Sequence, residues 1–435
     1  MSLSPMFLAV FLQASPAAPV QELPGPEGAR FEARFADGLH LSGPGDQWDF
    51  HLGGRYIGHE RIVVDQPEAS GYRTRETFIQ LEFEGWKEWF FRITGDFTPV
   101  KGEPAARLFD LFVEWRVDPA FTPLLGLVRM PVGIDRMTSR LFIEGIERPI
   151  PALFQPGEEP GVRVFGSLAG GIFRYDAAVS EGKSENLYSS TLEDAQPGLD
   201  QGAGHFTGKA YLSATVAPFA GGEQEALAGL QVRLFASTNY TSGVDLFDAY
   251  RIKSPDFGIA WLSPASATDE LFFQGHRILA GADPSWTWGP AMVRGEFLFR
   301  RDRVLRPATG VEKNLDLLSW SAVASWLLTG EDQAVGKRIA PRAPVDQPWG
   351  SLDLHVRASG AAFDRDALAA LGTDLVRNSN RLTSYALGIN WWPASNIRIS
   401  VEGVLEDYHQ AIPVNSDGDL ARSLTGILMR FQIDF

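Results

Sequence analysis

The chain has 435 residues, is 44% hydrophobic, contains no cysteine and carries a formal charge of −15; its mean hydropathy is −0.09. So acidic a chain excludes a nucleic-acid partner, whose phosphates need a basic face, and no run approaches the roughly 20 apolar residues of a transmembrane helix. The same composition suits a soluble protein or a membrane barrel, in which only alternate strand residues meet lipid, so pattern has to decide.

Residues 6–12 form a short apolar core followed by Ser15-Pro16-Ala17, a small-x-small pattern that predicts a signal peptide over residues 1–17. Residues 18–47, rich in Pro, Gly and Glu, predict a flexible lead-in. From Trp48 the pattern becomes strand-like, with Trp48, Phe50, Leu52, Gly54 and Tyr56 on one side and Asp49, His51, Gly53 and Arg55 on the other. Residues 75–84, 88–97, 107–117 and 123–132 continue the alternation. Their outward sets are Ile79, Leu81 and Phe83; Trp89, Phe91, Ile93 and Phe97; Phe109, Leu111, Val113 and Trp115; and Leu124, Val128 and Met130. Further strands are predicted near 161–167, 171–180, 206–217, 227–238, 271–282, 290–302, 314–327, 349–359, 381–392, 396–408 and 421–435, which brings the total to sixteen. The last strand alternates Thr425, Ile427, Met429, Phe431, Ile433 and Phe435 with Gly426, Leu428, Arg430, Gln432 and Asp434.

An even strand count returns both ends to one side of a membrane. Connections 59–74, 133–160, 181–205, 239–270 and 360–380 are long and fall at one end, while those at the other end are mostly short; 328–348 is the exception. Trp48, Trp86, Trp89, Trp115, Trp286, Trp288, Trp326, Trp349, Trp391 and Trp392 sit beside the short turns, as an interfacial aromatic girdle would; Trp261 and Trp320 do not. The reading is an all-β, 16-stranded antiparallel transmembrane β-barrel over residues 48–435, in the outer membrane of a Gram-negative-type bacterium and in contact with its lipid.

Residues 126–139 (Gly-Leu-Val-Arg-Met-Pro-Val-Gly-Ile-Asp-Arg-Met-Thr-Ser) and 142–149 (Phe-Ile-Glu-Gly-Ile-Glu-Arg-Pro) resemble the phosphate-selective porin O and P family. Residues 325–331, 388–393 with 396–398, and 52–55 are similar to that family too. The resemblance implies a sixteen-stranded porin, a homotrimer, and a third loop folded inward to narrow the pore. It also implies anion selectivity through a lumen lined with arginines and lysines. The inward positions do supply Arg55, Arg92, Arg116, Arg129, Arg294 and Arg398, but acids such as Glu82, Glu84, Asp96 and Glu402 are at least as numerous, and no lysine cluster is visible. The predicted constriction is the 133–160 loop, with Arg136, Arg140 and Arg148 against Glu144 and Glu147, and Glu147-Arg148-Pro149 also reads as a structural anchor. Arginine suits phosphate because its planar fork binds oxyanions bidentately, and a narrow ring of one sign sets selectivity at close range.

The seven histidines show no metal-ligand spacing, and no Ser–His pair falls on a shared face, so neither an enzyme nor a cofactor is expected. The residues point to a passive diffusion channel for small hydrophilic solutes or anions in transit, with phosphate favoured only weakly. The alternative is a structural or adhesive barrel plugged by loops 181–205 and 239–270.

Overall fold

The computed structural model describes residues 30–34, 38–43, 47–64, 66–86, 88–99, 106–181, 208–222, 224–246, 252–263, 271–339, 349–415 and 417–435. The predicted signal peptide and most of the 181–205 loop lie outside them. Sixteen strands build the wall: β1 (Trp48–Val63), β2 (Gly71–Gly85), β3 (Trp89–Asp96), β4 (Arg107–Trp115), β5 (Thr122–Arg129), β6 (Glu158–Leu168), β7 (Phe173–Ser180), β8 (Lys209–Val216), β9 (Gln231–Leu246), β10 (Phe272–Trp288), β11 (Ala291–Arg306), β12 (Val311–Leu327), β13 (Ser351–Phe363), β14 (Arg381–Ala394), β15 (Ile397–Pro413) and β16 (Leu420–Asp434). Each pairs antiparallel with its neighbours in sequence, and β16 closes on β1 from Gly426↔Val63 to Asp434↔Arg55. Closure leaves the wall no free edge, which is the condition for sheet to stand in hydrocarbon.

Alternation sorts the two faces. Phe91, Ile93, Leu387, Val401 and Ile427 are exposed on the outside, while Thr94, Ser384, Glu402 and Arg430 on the same strands are buried inside. Most of the expected parities hold, and four expectations need correction. Residues 59–74 were expected to be a long loop, but β1 and β2 run on and leave only 64–70 between them. In β5, Leu124, Val128 and Met130 are buried, whereas Leu125 is exposed and pairs with Val113. That strand's sequence Leu124-Leu125-Gly126-Leu127-Val128 is apolar on both faces, so alternation could not orient it. Phe109 falls where the register shifts between β3 and β4, and its ring lies 4.6 Å from that of the buried Phe78. Trp392, assigned to the girdle, is buried beside the Arg398 guanidinium, while Trp86, Trp115, Trp288, Trp326 and Trp349 are exposed at the short-turn end.

Two described segments of the lead-in are strands. Arg30–Arg34 and Gly38–Ser42 form a hairpin whose second strand pairs with β1 from Leu39↔Leu52 to Ser42↔Asp49, below the part of β1 that meets β16. Leu39 and Leu41 alternate with His40 and Ser42, a short strand pattern inside a Pro/Gly-rich segment.

Candidate functional site

The third loop crosses the inside of the barrel. Pro131, Pro149 and Pro151 have no N–H to give to a ladder, and so the chain leaves the sheet after β5. It makes one short helix, Ile134–Met137, and two 3-10 turns, Arg140–Phe142 and Ile150–Phe154. Gly133 has φ 61, and a side chain there would meet the Gln155 amide at about 2 Å, so only glycine fits. Val132, Ile146, Ile150 and Phe154 bury an apolar face in the core cluster.

Polar bonds then tie the loop to the wall from β11 round to β2. The Ile146 amide donates to Glu402 at 2.8 Å and the Asp135 amide to Glu296 at 3.2 Å. Arg398 donates to the carbonyl of Ile143 at 2.6 Å, Arg430 to that of Arg140 at 2.6 Å, and Arg300 to that of Phe154 at 2.9 Å. Loop carbonyls and amides at membrane depth are satisfied by protein, as they must be.

The five loop residues expected at the constriction are brought together, but each charge already has a partner. Arg140 bridges Glu76 at 3.1 Å and Glu147 at 2.9 Å, and Glu147 also meets Arg75 and His59, both at 3.2 Å. Burial raises the Glu147 carboxyl, yet Arg75, His59 and Arg140 outweigh it and hold the group well below the usual carboxylate range. Arg148 spends its donors on the carbonyls of Asp135 and Thr138, both at 3.0 Å. Burial, with Arg140, Arg136 and Arg129 nearby, pushes its guanidinium well below the usual value. Arg136 lies 3.9 Å from Glu158, and Glu144 is paired with Arg294 at 2.6 Å. Arg294 and Arg398, expected to line the passage, are instead buried under the loop as its anchors. Arg129 holds the loop's root through Glu158 at 2.8 Å and the Met137 carbonyl at 3.1 Å.

The opposite wall stays accessible. Side chains on β11–β16 beneath the loop are covered, with Arg398 at 0%. On the β2–β4 side, Arg92 keeps 33%, Arg116 37% and Glu84 54% of their surface. Arg92 pairs with Glu82 at 2.5 Å, Arg116 with Glu84 at 2.9 Å and Glu114 at 2.7 Å, and Arg55 with Glu76 at 2.7 Å. A passage along this half is bounded by guanidinium–carboxylate pairs, not by bare cations.

Two connections that the sequence marks only as long, 239–270 and 328–348, contribute segments that fold against the wall. Residues 252–263, in the connection after β9, fold inward as a small hairpin, Ile252–Lys253 with Ala260–Leu262. Asp256 accepts from Arg357 at 2.7 Å and Ser384 at 2.6 Å, and the Trp261 carbonyl accepts from the Ser379 amide at 2.8 Å. Burial raises the Asp256 carboxyl, with Arg357 opposing it. The signal was present: Trp261 was one of two tryptophans off the girdle, beside the turn Pro255-Asp256-Phe257-Gly258. The second is residues 328–339, the described part of the anomalous connection that joins β12 to β13 at the short-turn end. Glu331 accepts from Ser351 at 2.7 Å, Arg338 pairs with Asp434, and a cleft between this segment and the third loop is lined by Glu144, Lys337 and Asp353. Among the described residues no cluster of His, Asp or Glu could hold a metal ion.

Comparison with known proteins agrees with this architecture. A family model described as phosphate-selective porin O and P matches residues 58–435. Solved structures with the same fold include the trimer form of in-vitro folded OmpT of Vibrio cholerae (8% identity, TM-score 0.53, 90% of this chain and 100% of that one). The outer membrane channel DcaP of Acinetobacter baumannii is similar at 11% identity and TM-score 0.51, over 90% and 99% of the two chains. OprB of Pseudomonas putida gives 9% identity and TM-score 0.52 over 89% and 94%. No curated protein sequence matches the chain.

Proposed function

The chain belongs to the phosphate-selective porin O and P family and is an outer-membrane porin; from that premise we propose that it passes small hydrophilic solutes by passive diffusion between the third loop and the β2–β4 wall. The observation that carries this reading is the asymmetry of the lumen: the β11–β16 side is sealed by the loop's bonds, while Arg92, Arg116 and Glu84 on the β2–β4 side stay open to solvent. The constriction in this reading is the 133–160 loop, where charges act with little screening. Arg136 meets Glu158 there, Arg140 meets Glu76 and Glu147, and Arg148 is taken up by backbone carbonyls, so anion preference, phosphate included, is weak. The protein is secreted with its first 17 residues as a signal peptide and works as a homotrimer, a state recorded for OmpT of Vibrio cholerae.

The test is conductance in a planar bilayer under a salt gradient. We expect ohmic current with a small anion-favouring reversal potential, reduced by joint Arg136→Ala and Arg140→Ala at dilute salt and fading as the Debye length falls to about 3 Å near 1 M. A shift from Arg92→Ala exceeding that of the double variant would move the constriction to the open wall. A second reading, a barrel plugged by its own loops, is favoured by the inward fold of residues 252–263; it requires that no ohmic current be seen.

A further inference from the structure

The inner face of the wall repeats one arrangement: an arginine with a carboxylate at its edge and a phenyl ring against it. Arg116 is held by Glu84 and Glu114, with its guanidinium carbon 4.5 Å from the centre of Phe90. One step further along the strands, Arg92 is held by Glu82 and lies 5.5 Å from Phe112. On β6 and β7, Arg163 binds Asp176 at 2.8 Å through Nε and lies 5.4 Å from Phe165. The same grouping recurs with its ring and carboxylate buried at Arg55 with Glu76 and Phe78, and on β9 and β10 at Arg233 with Asp283 and Phe235.

Inward strand positions in a water-filled barrel are ordinarily polar. Large rings there need a reason. Phe112 and Phe165 are only partly buried, so their rings are not fully consumed by packing. Building on the channel reading above, we propose that these units favour zwitterionic aromatic solutes, such as free aromatic amino acids, over inorganic anions and over aliphatic solutes of similar size.

The physical basis is charge pairing. Each guanidinium has a carboxylate within about 3 Å, so a simple anion attracted by one is repelled by the other, and a simple cation meets the converse. A dipolar ion satisfies both poles, its carboxylate on the arginine and its ammonium on the acid. Its ring then has a phenyl face or edge to lie against, a contact worth about 0.5–1.5 kcal/mol beyond simple burial. Successive positions on one face of a strand are about 7 Å apart, which offers a solute a series of weak sites in place of one tight one, the condition for binding that does not stall permeation.

The experiment compares initial uptake of L-phenylalanine and L-leucine into proteoliposomes, with benzoate and benzylamine as single-charge arms, and KCl conductance measured on the same preparation. Phenylalanine should enter faster than leucine by about two- to tenfold, and faster than either single-charge arene. Joint Phe112→Leu and Phe165→Leu should bring the phenylalanine-to-leucine ratio toward one; leucine uptake and heat-modifiable migration report whether that variant has folded. Equal uptake of phenylalanine and leucine by the wild type, benzoate outrunning phenylalanine, or a ratio unchanged in the variant would each overturn the inference while ohmic current keeps the channel reading intact. Absence of KCl current would overturn both.

Discussion

Glu147 shows how one side chain can decide a loop's position. It is buried, and it accepts from or pairs with Arg75, Arg140 and His59, which belong to β2, the loop itself and β1. Its carboxyl is depressed in the folded protein, so the pairing contributes fully above the about 4.3 of an unfolded glutamate and is lost as the pH falls below that value. Channel conductance should therefore be steady between about pH 5 and 7 and become noisy or enlarged only in stronger acid. Glu147→Gln should show the acid-like behaviour at neutral pH, because removing one partner of a buried pair strands the others at a cost of about 3–5 kcal/mol; single-channel recordings of the two proteins across pH check this. The Glu147-Arg148-Pro149 anchor was visible in the sequence, but its wall partners Arg75 and His59 were not. They lie far away along the chain, on strands that only barrel closure brings beside the loop.

At the scale of the strand, alternation was a sufficient guide wherever one face is polar, and it failed where neither is. β14 to β16 read correctly because Ser384, Asn390, Glu402, Arg430 and Gln432 mark the inner face unambiguously. β5 offers no such mark, and only pairing with β4 and β6 reveals that Leu125 faces out. Its orientation has a direct test. Leu125→Arg places a charge toward lipid and should cost about 2–4 kcal/mol near the bilayer midplane, seen as loss of heat-modifiable folded protein. Phe91→Arg, outward on β3, should behave alike, whereas Gln80→Arg, inward and partly open on β2, should assemble normally. Equal damage from Gln80→Arg and Phe91→Arg would contradict the facing of β2 and β3. The inserted hairpin at 252–263 lay beyond any strand pattern, since its place depends on Arg357 and Ser384 waiting on β13 and β14.

For the molecule as a whole, the lumen is a space left over between a closed wall and three insertions, from 130–157, 252–263 and the 328–339 segment. Asp256→Ala removes the acceptor of two wall donors and should let the 252–263 hairpin swing, raising single-channel conductance without changing barrel migration; an unchanged conductance would show that this hairpin does not limit the passage. The wall itself carries a further consequence, in time and not in space. The seam joins the first barrel strand to the last, and Phe435 bonds Gly54 through both its amide and its carbonyl. Those partners stand at opposite ends of the barrel sequence, so loop-closure entropy is greatest for the one contact that makes the wall continuous. Until β16 arrives, the β1 edge from Arg55 to Val63 is an unpaired template, and any chain cut short before Leu420 keeps it so. Every chain that lacks β16 is thus an open sheet whose β1 margin has no partner from the last strand, and completion of synthesis is what shuts it.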